Sequence, residues 1–374
     1  MVDIILRDIK KSFGKVQAVR GVSLKVYDGE YLTLLGPSGC GKTTTLRIIA
    51  GLIKADSGEL YFGDKKIDHH IPPEERNIGM VFQHFEIFPF LDVWDNVSYP
   101  CKVKGIDKKE LEERVSTYIR LVNLEKYVDR YPYELTAPQL QRIGIARALA
   151  TGSDILLLDE PLGALDQRYR DEFRIELRKL IKKLGITAIH VTHDQDEAMM
   201  ISDRIAVMRK GKILQVGTPG DLYIRPNSIF VANFIGESNF MEGEIESINK
   251  VTCIKLHGGG PRIYSSNKKF NLRDRVICSI RKEFVKIKNI DNYLDEKKID
   301  SEKLIKGKVI NIAFLGSYLR VNVELSNGDI IESKIIYPPK FELKVGSEVY
   351  IKMHPDNVLL FQYPKDLDYE LALE

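Results

Sequence analysis

The sequence predicts an α/β protein built on a parallel sheet, followed by a separate all-β domain, and three observations carry that prediction. Two short continuous apolar runs, ILLLDE (155–160) and ITAIHVTH (186–193), read as strands buried on both faces, with the helical stretch DEFRIELRKLIKKLG (171–185) between them. Strand, helix, strand in that order implies parallel pairing. A glycine-rich loop opens at Gly36, between the apolar run YLTLL and the helical pattern TTLRIIAGL. After residue 236 the texture changes to short β-runs broken by Gly, Asn and Pro, which suggests a small barrel or sandwich.

From the N-terminus, IILRDI and VSLKVY, the Asp28-Gly29 turn and YLTLL read as strands with a hairpin. Residues 84–150 carry mostly helical signals, clearest in KKELEERVSTYIRLVNL, where apolar positions recur every three or four residues. Gly185 is placed to cap the helix that precedes ITAIHVTH. The boundary falls near 237, giving domains 1–236 and 237–374. In the second, MEGEIESI, CIKLHG, RVICSI, GKVINIAFLG, YLRVNVEL, EVYIKM and NVLLF read as strands, and DEKKIDSEKLIKGK (295–308) as a solvated loop.

At 374 residues the chain is too long for one compact core. Lys+Arg total 56 against 53 Asp+Glu, a balance that argues against binding a polyanion such as nucleic acid through bulk charge. No apolar run approaches 18 residues, so no transmembrane helix and no signal peptide are expected. Cys40, Cys101, Cys253 and Cys278 lie far apart without metal-ligand spacing, which fits reduced thiols in a soluble intracellular chain.

Gly36-Pro37-Ser38-Gly39-Cys40-Gly41-Lys42-Thr43 fits G-x-x-x-x-G-K-[ST], the phosphate-binding P-loop of nucleotide triphosphatases. Its glycines let backbone N–H groups face the phosphates, Lys42 reaches the β- and γ-phosphates, and Thr43 holds Mg²⁺. The apolar strand ILLLDE delivers Asp159 to the metal, and Glu160 can take a proton from an attacking water. LLLDE alone would be a buried strand ending in exposed acids; with the loop it points to a triphosphatase. No guanine-reading NKxD motif occurs. Gln83 in MVFQ, Asp166 in GALD and His193, which ends ITAIHVTH, each fall at a strand end, on the side where parallel sheets bind ligands.

GPSGCGKTT, VFQ, LTAPQ…QRIGIARALA, ILLLDEP, GALD and VTHDQDEAM, in this order over residues 1–236, resemble the nucleotide-binding subunits of ABC transporters. The resemblance is to the importer class for sugars, glycerol phosphate, polyamines or iron. SIRKEFVKI, NIAFLGSYLRVNVEL and IKMHPDNVLLF resemble that class's paired β-segments. The resemblance implies a P-loop core with a helical subdomain (about 84–150) and an antiparallel β subdomain, followed by an OB-like regulatory domain. It implies ATP held with Mg²⁺ by Gly36, Ser38, Gly39, Cys40, Gly41, Lys42, Thr43 and Thr44, with Phe13 stacked on adenine. Thr43, Gln83 and Asp159 would serve the metal, and Glu160, His193 and Gln83 the hydrolysis. Thr136 and Gln139 would face the ATP across a head-to-tail dimer with two ATPs at its interface, and Asp166 would be a further nucleotide-binding residue. Residues 84–97 (HFEIFPFLDVWDNV) would dock transmembrane permease subunits, with a solute-binding protein as an indirect partner. The chain would sit in the cytoplasm on the inner face of the membrane and power solute import, sugar being the first expectation.

One segment departs from the pattern. Where the family has Leu-Ser-Gly-Gly-Gln, this chain has Leu135-Thr136-Ala137-Pro138-Gln139. Ala137 gives up glycine's access to positive φ, and Pro138 deletes a backbone N–H. One N–H bond to an anion contributes about 1.5–3 kcal/mol, so the facing site would turn over about ten- to a hundredfold more slowly. A homodimer with two weakened sites and a heterodimer with an intact sister subunit both fit. A regulatory protein with a vestigial ATPase is the further rival. A DNA-repair ATPase of the same type would carry long heptad arms, and no sustained heptads occur here.

Overall fold

The computed structural model describes residues 2–163, 165–289 and 305–373. They form two compact units, 2–222 and 223–373.

The first unit contains two sheets. Strands β1 (Ile4–Phe13) and β2 (Val16–Val26) form a hairpin. Strand β3 (Tyr31–Leu35) leads through the glycine-rich loop to α1 (Lys42–Ala50), and β4 (Ser57–Phe62), β5 (Lys65–Ile67) and β6 (Ile78–Val81) follow. Helices α2 (Val93–Val103), α3 (Lys108–Leu121) and α4 (Ala137–Ala150) make the helical part. Then come β7 (Ile155–Asp159), α5 (Gln167–Leu184), β8 (Thr187–Thr192), α6 (Gln195–Ile201), β9 (Arg204–Arg209) and β10 (Lys212–Gly217).

The antiparallel sheet has order β2-β1-β4-β5, and the main sheet β10-β9-β3-β8-β7-β6, parallel except for β10. The expected hairpin across Asp28-Gly29 is therefore a correction: β2 and β3 belong to different sheets. Burial gives the reason. Every residue of YLTLL is buried, whereas β2 alternates, so β3 needs cover on both faces and crosses to the central layer. The chain's hairpin turn is instead at Gly14-Lys15, between β1 and β2.

Alternation along the central strands splits the core. Leu156 and Leu158 face a cluster with Val97, Val115, Ile143 and Leu177 from the helices, while Leu157 and Ile189 face one with Leu46 and Ile49 of α1 and Ile4 of β1. Helix α5 offers Phe173, Leu177 and Ile181 at four-residue spacing and ends at Gly185 in the left-handed region, as the pattern predicts.

Helix α7 (Pro219–Ile224) spans the division between the units, and α8 (Ile229–Phe234) follows it. Strands β11 (Ser238–Ile248), β12 (Thr252–Leu256), β13 (Arg262–Ser265), β14 (Arg275–Arg281), β15 (Lys286–Asn289), β16 (Ile305–Phe314), β17 (Tyr318–Leu325), β18 (Ile330–Ile336), β19 (Glu348–Lys352) and β20 (Leu359–Gln362) precede the terminal α9 (Leu367–Leu371). They make two antiparallel five-stranded sheets, β13-β12-β11-β14-β20 and β15-β19-β16-β17-β18, around one core that includes Ile254, Val276, Val321 and Ile351.

The compact second unit takes in residues 223–236, which the sequence reading put in the first domain. Buried Arg281 is the reason: its guanidinium donates to the carbonyls of Tyr223 (2.8 Å) and Ala232 (2.6 Å), satisfying backbone oxygens of α7 and α8 from within the β unit. Of the expected loop 295–308, residues up to 304 lie outside the described residues. Residues 305–308 are not loop but the start of β16.

Candidate active site

The loop Gly36–Gly41 is shaped by its glycines. A Cβ on Gly36 would lie 2.2 Å from the Met208 carbonyl oxygen, and one on Gly41 2.3 Å from that of Ala18, so both positions pack backbone against neighbouring strands. Gly39 is at φ 73 with open space around it, and Ser38 and Gly39 form the exposed crest, while Cys40 is buried beneath. Gly41 is the N-cap of α1 and brings no side chain to cap the helix, so no side chain competes for the first-turn N–H groups around Thr43 and Thr44.

Lys42 curls over this loop. Its Nζ donates to the carbonyls of Gly36 (2.7 Å) and Pro37 (2.8 Å). An open crest, an uncapped helix start and a buried ammonium ringed by loop carbonyls fit a polyphosphate.

Thr43 Oγ1 donates to Asp159 Oδ1 at 3.1 Å, at the end of β7. Burial pushes the Asp159 carboxyl up, against the pull of Thr43 and Arg47, whose Nη2 is 3.7 Å away. Hydroxyl and carboxylate oxygens suit Mg²⁺, which takes few protein ligands and completes its shell with phosphate oxygens and water. Arg47 was not foreseen as part of the site. Its signal is its place four residues after Thr43 on α1, which puts the two on one helix face.

Three elements converge at the next residue. Glu160 Oε2 accepts from Gln83 Nε2 at 3.1 Å, and its Oε1 lies 3.4 Å from His193 Nδ1. Gln83 stands after β6, Glu160 after β7 and His193 after β8, so strand order β8-β7-β6 brings together side chains far apart in sequence. Glu160 itself has φ 45, a left-handed conformation that costs a non-glycine residue about 1–3 kcal/mol and is concentrated at functional sites.

The other expected site residues lie elsewhere. Phe13 is half-exposed at the end of β1, beside the turn into the strand whose Ala18 touches Gly41. Asp166 is the N-cap of α5, where its carbonyl receives Tyr169 and Arg170 N–H and its side chain makes no capping bond. Thr136 is the N-cap of α4, with Ala137 and Pro138 as the first two helical residues. Gln139 Oε1 accepts from both Thr136 N (2.8 Å) and Thr136 Oγ1 (3.0 Å), and Gln139 N–H goes to Thr136 O (2.9 Å). Thr136 and Gln139 thus bond to each other, and a single chain does not bring them to Lys42 or Glu160.

In residues 84–97, Asn96 organises the chain before α2. Its amide donates to the carbonyls of Phe88, Leu91 and Asp92, and its Oδ1 accepts Phe88 N–H. Beside this loop opens a groove of about 710 Å³ lined by Arg47, Leu52, Phe82, Phe88, Tyr99 and Arg147 among others. Burial pushes the Arg147 guanidinium down, and it sits 5.2 Å over the Phe88 ring. No described helix is long and apolar enough to cross a membrane.

A glycine-rich loop with a buried lysine, the paired oxygens of Thr43 and Asp159 and a carboxylate contacted by Gln83 and His193, all at the ends of a parallel sheet, fit a P-loop ATPase, and the helical insert ending in α4 fits the ABC type. Comparison with known proteins agrees. The ABC transporter family matches residues 19–163 and the TOBE domain residues 278–361. The spermidine/putrescine import ATP-binding protein PotA of Fusobacterium nucleatum is 42% identical over 340 residues, 89% of this chain and 88% of the relative. The Fe(3+) ions import ATP-binding protein FbpC of the same organism is 38% identical over 363 residues, 96% and 93% of the two chains. PotA of Clostridioides difficile is 41% identical over 359 residues, 95% and 96% of the two chains. A bacterial ABC transporter cassette, MJ0796, solved as a dimer, superposes with a TM-score of 0.52 at 33% identity, covering 58% of this chain and 98% of its own. The chain belongs to the ATP-binding subunits of ABC importers, with an OB-like TOBE domain at its C-terminal end. It is an ATPase that uses ATP with Mg²⁺ and acts as a dimer with permease subunits, on the cytoplasmic side of the membrane.

Proposed function

We propose that this subunit hydrolyses ATP through the residues just described and thereby powers uptake of a cationic solute, a polyamine before any other. Lys42 and the loop N–H groups bind and orient the phosphates, with Phe13 under the adenine. Thr43 and Asp159 hold Mg²⁺, which neutralises charge on the phosphate oxygens. Glu160 accepts the proton of the attacking water, Gln83 fixes its carboxylate from one side and His193 from the other. The observation that carries this reading is the convergence of Gln83 and His193 on opposite oxygens of Glu160. The groove beside residues 84–97, apolar with two arginines, suits an amphipathic segment of a permease.

For the solute, the relatives described above are named for spermidine/putrescine and Fe(3+) import, and both names denote cations. They favour a polyamine over the sugar that the sequence reading put first. The subunit assembled with its permease and solute-binding protein in vesicles is expected to hydrolyse ATP faster with spermidine than with maltose or Fe³⁺. Stimulation by maltose alone would overturn the assignment.

The second reading, an asymmetric heterodimer, rests on α4. Of its first three N–H groups, Pro138 lacks one and Gln139's is taken by Thr136 O, leaving Ala137's to meet a phosphate of the facing subunit. A sister subunit with an intact signature would then restore one full site.

A further inference from the structure

Behind His193 lies a group of buried polar side chains that the chemistry described so far does not use. Thr192, the last residue of β8, donates its hydroxyl to Glu197 Oε2, and Thr192 Oγ1 itself accepts Asp194 N–H at 3.0 Å. Asp194 Oδ1 in turn accepts Glu197 N–H at 2.9 Å, capping α6. These bonds join Thr192, Asp194 and Glu197 in a ring that closes around His193, whose own side chain points out to Glu160.

The ring is anchored on two sides. The buried guanidinium of Arg174 on α5 donates to Asp194 Oδ2 at 2.5 Å. Glu197 Oε1 lies 3.3 Å from His190 Nε2, and both atoms are buried with no other partner among the described residues. His190 Nδ1 meets the Tyr31 hydroxyl at 2.9 Å, at the start of the strand that ends just before Gly36. Burial alone would raise the Glu197 carboxyl, but His190, Thr192 and Arg174 outweigh it and hold it below its ordinary range. A charge kept in the core at that cost is weak support for stability, since a hydrophobic replacement is often as stable. Its placement against the turn that carries His193 gives it a different use.

We infer that Glu197 is a positioning residue for hydrolysis: through Thr192 and Asp194 it fixes the turn 192–194 and so sets His193 against Glu160. Neither Glu197 nor Thr192 touches nucleotide in this scheme. Misplacing a reacting group by about 1 Å can cost about a hundredfold in rate, so loosening this turn falls on turnover rather than on ATP binding, which Lys42 and its loop supply.

The inference rests on the assignment of His193 to hydrolysis, and the experiment separates the two. ATPase kinetics and thermal unfolding are measured on the full-length protein and on Glu197→Ala, Glu197→Gln, Thr192→Val, Thr192→Ser and His193→Ala. Glu197→Ala and Thr192→Val are each expected to lower kcat about tenfold or more with KM for ATP within about twofold. Glu197→Gln, which still accepts the Thr192 hydroxyl, and Thr192→Ser, which still donates it, are expected to stay within about threefold of wild type. If Glu197→Ala does not fold, the near-isosteric pair Thr192→Val and Thr192→Ser decides. Wild-type kcat in Thr192→Val, or a loss that Thr192→Ser shares in full, overturns the inference. Wild-type turnover in His193→Ala overturns the site assignment and this inference together. A dead His193→Ala beside fully active Glu197→Ala and Thr192→Val leaves the site standing and removes the positioning role alone.

Discussion

In the proposed site Lys42 is the side chain whose charge would balance a polyphosphate, and no other buried ammonium enters the loop among the described residues. Lys42→Ala is therefore expected to abolish hydrolysis and weaken ATP binding strongly, as read by turnover and by nucleotide titration; near-normal turnover would remove the site assignment. Glu160→Gln removes only the base. It should keep ATP affinity and accumulate a closed dimer on size-exclusion in ATP, and an unchanged elution would mean that Glu160 is not the base. These residues were legible because the chemistry of Lys42, Thr43 and Asp159 sits in contiguous motifs, where strand, loop and helix follow in sequence. Arg47, Thr192 and Glu197 were not. Arg47 is one charged residue on an amphipathic helix, marked only by its spacing from Thr43, and which way Thr192 and Glu197 point depends on packing between β8, α5 and α6 that spacing alone does not encode.

Helix α4 sets the next scale. Thr136 caps it by exchanging bonds with Gln139, and Pro138 is tolerated in the first turn, so the helix keeps its start while donors for an anion are lost. Ala137→Gly with Pro138→Gly is expected to raise homodimer turnover about ten- to a hundredfold with ATP affinity nearly unchanged, and Thr136→Val to lower it. No gain would favour the partnership with a different subunit, which mixing with a candidate sister chain reads directly. In the second unit, Arg262 holds the Glu246 carboxyl down to about 2 from its ordinary 4.5, tying β11 to β13. A carboxyl depressed in the folded state stabilises above its unfolded value and loses that contribution as pH falls through its folded one. The pair is solvent-exposed, so the effect is small. Glu246→Gln should shift the acid-unfolding curve only between about pH 4.5 and 2. Long periodic elements such as α3 and α5 were readable from sequence. Strands β4, β9, β13 and β18 were missed because SGELYF, RIAVMR, RIYS and IIESKII mix charge and apolar residues over too few positions for period two to stand out.

Over the whole molecule, the phosphate residues all precede Leu222, and the second unit begins at Tyr223. A chain ending at Leu222 is expected to stay soluble and hydrolyse ATP. One ending at residue 239 keeps Phe230, Val231 and Phe234, buried in the full chain, without the Arg281 and α9 that hold their helix, and is expected to self-associate. Size-exclusion and ATPase assays of the two fragments check this; a soluble, monomeric 1–239 would mean that α8 finds its cover in the first unit. The division was hard to place from sequence because IRPNSIFVANFIG is helical and resembles the first domain in texture, while the group that claims it, Arg281, is 45 or more residues downstream. The same attachment has a meaning for how such genes recombine. An exchange that swaps the C-terminal module between related importers is viable with its crossover before Tyr223, where Tyr223 and α8 travel with their own Arg281. A crossover at the change of texture near 237 would leave each parent's helices facing a stranger's arginine.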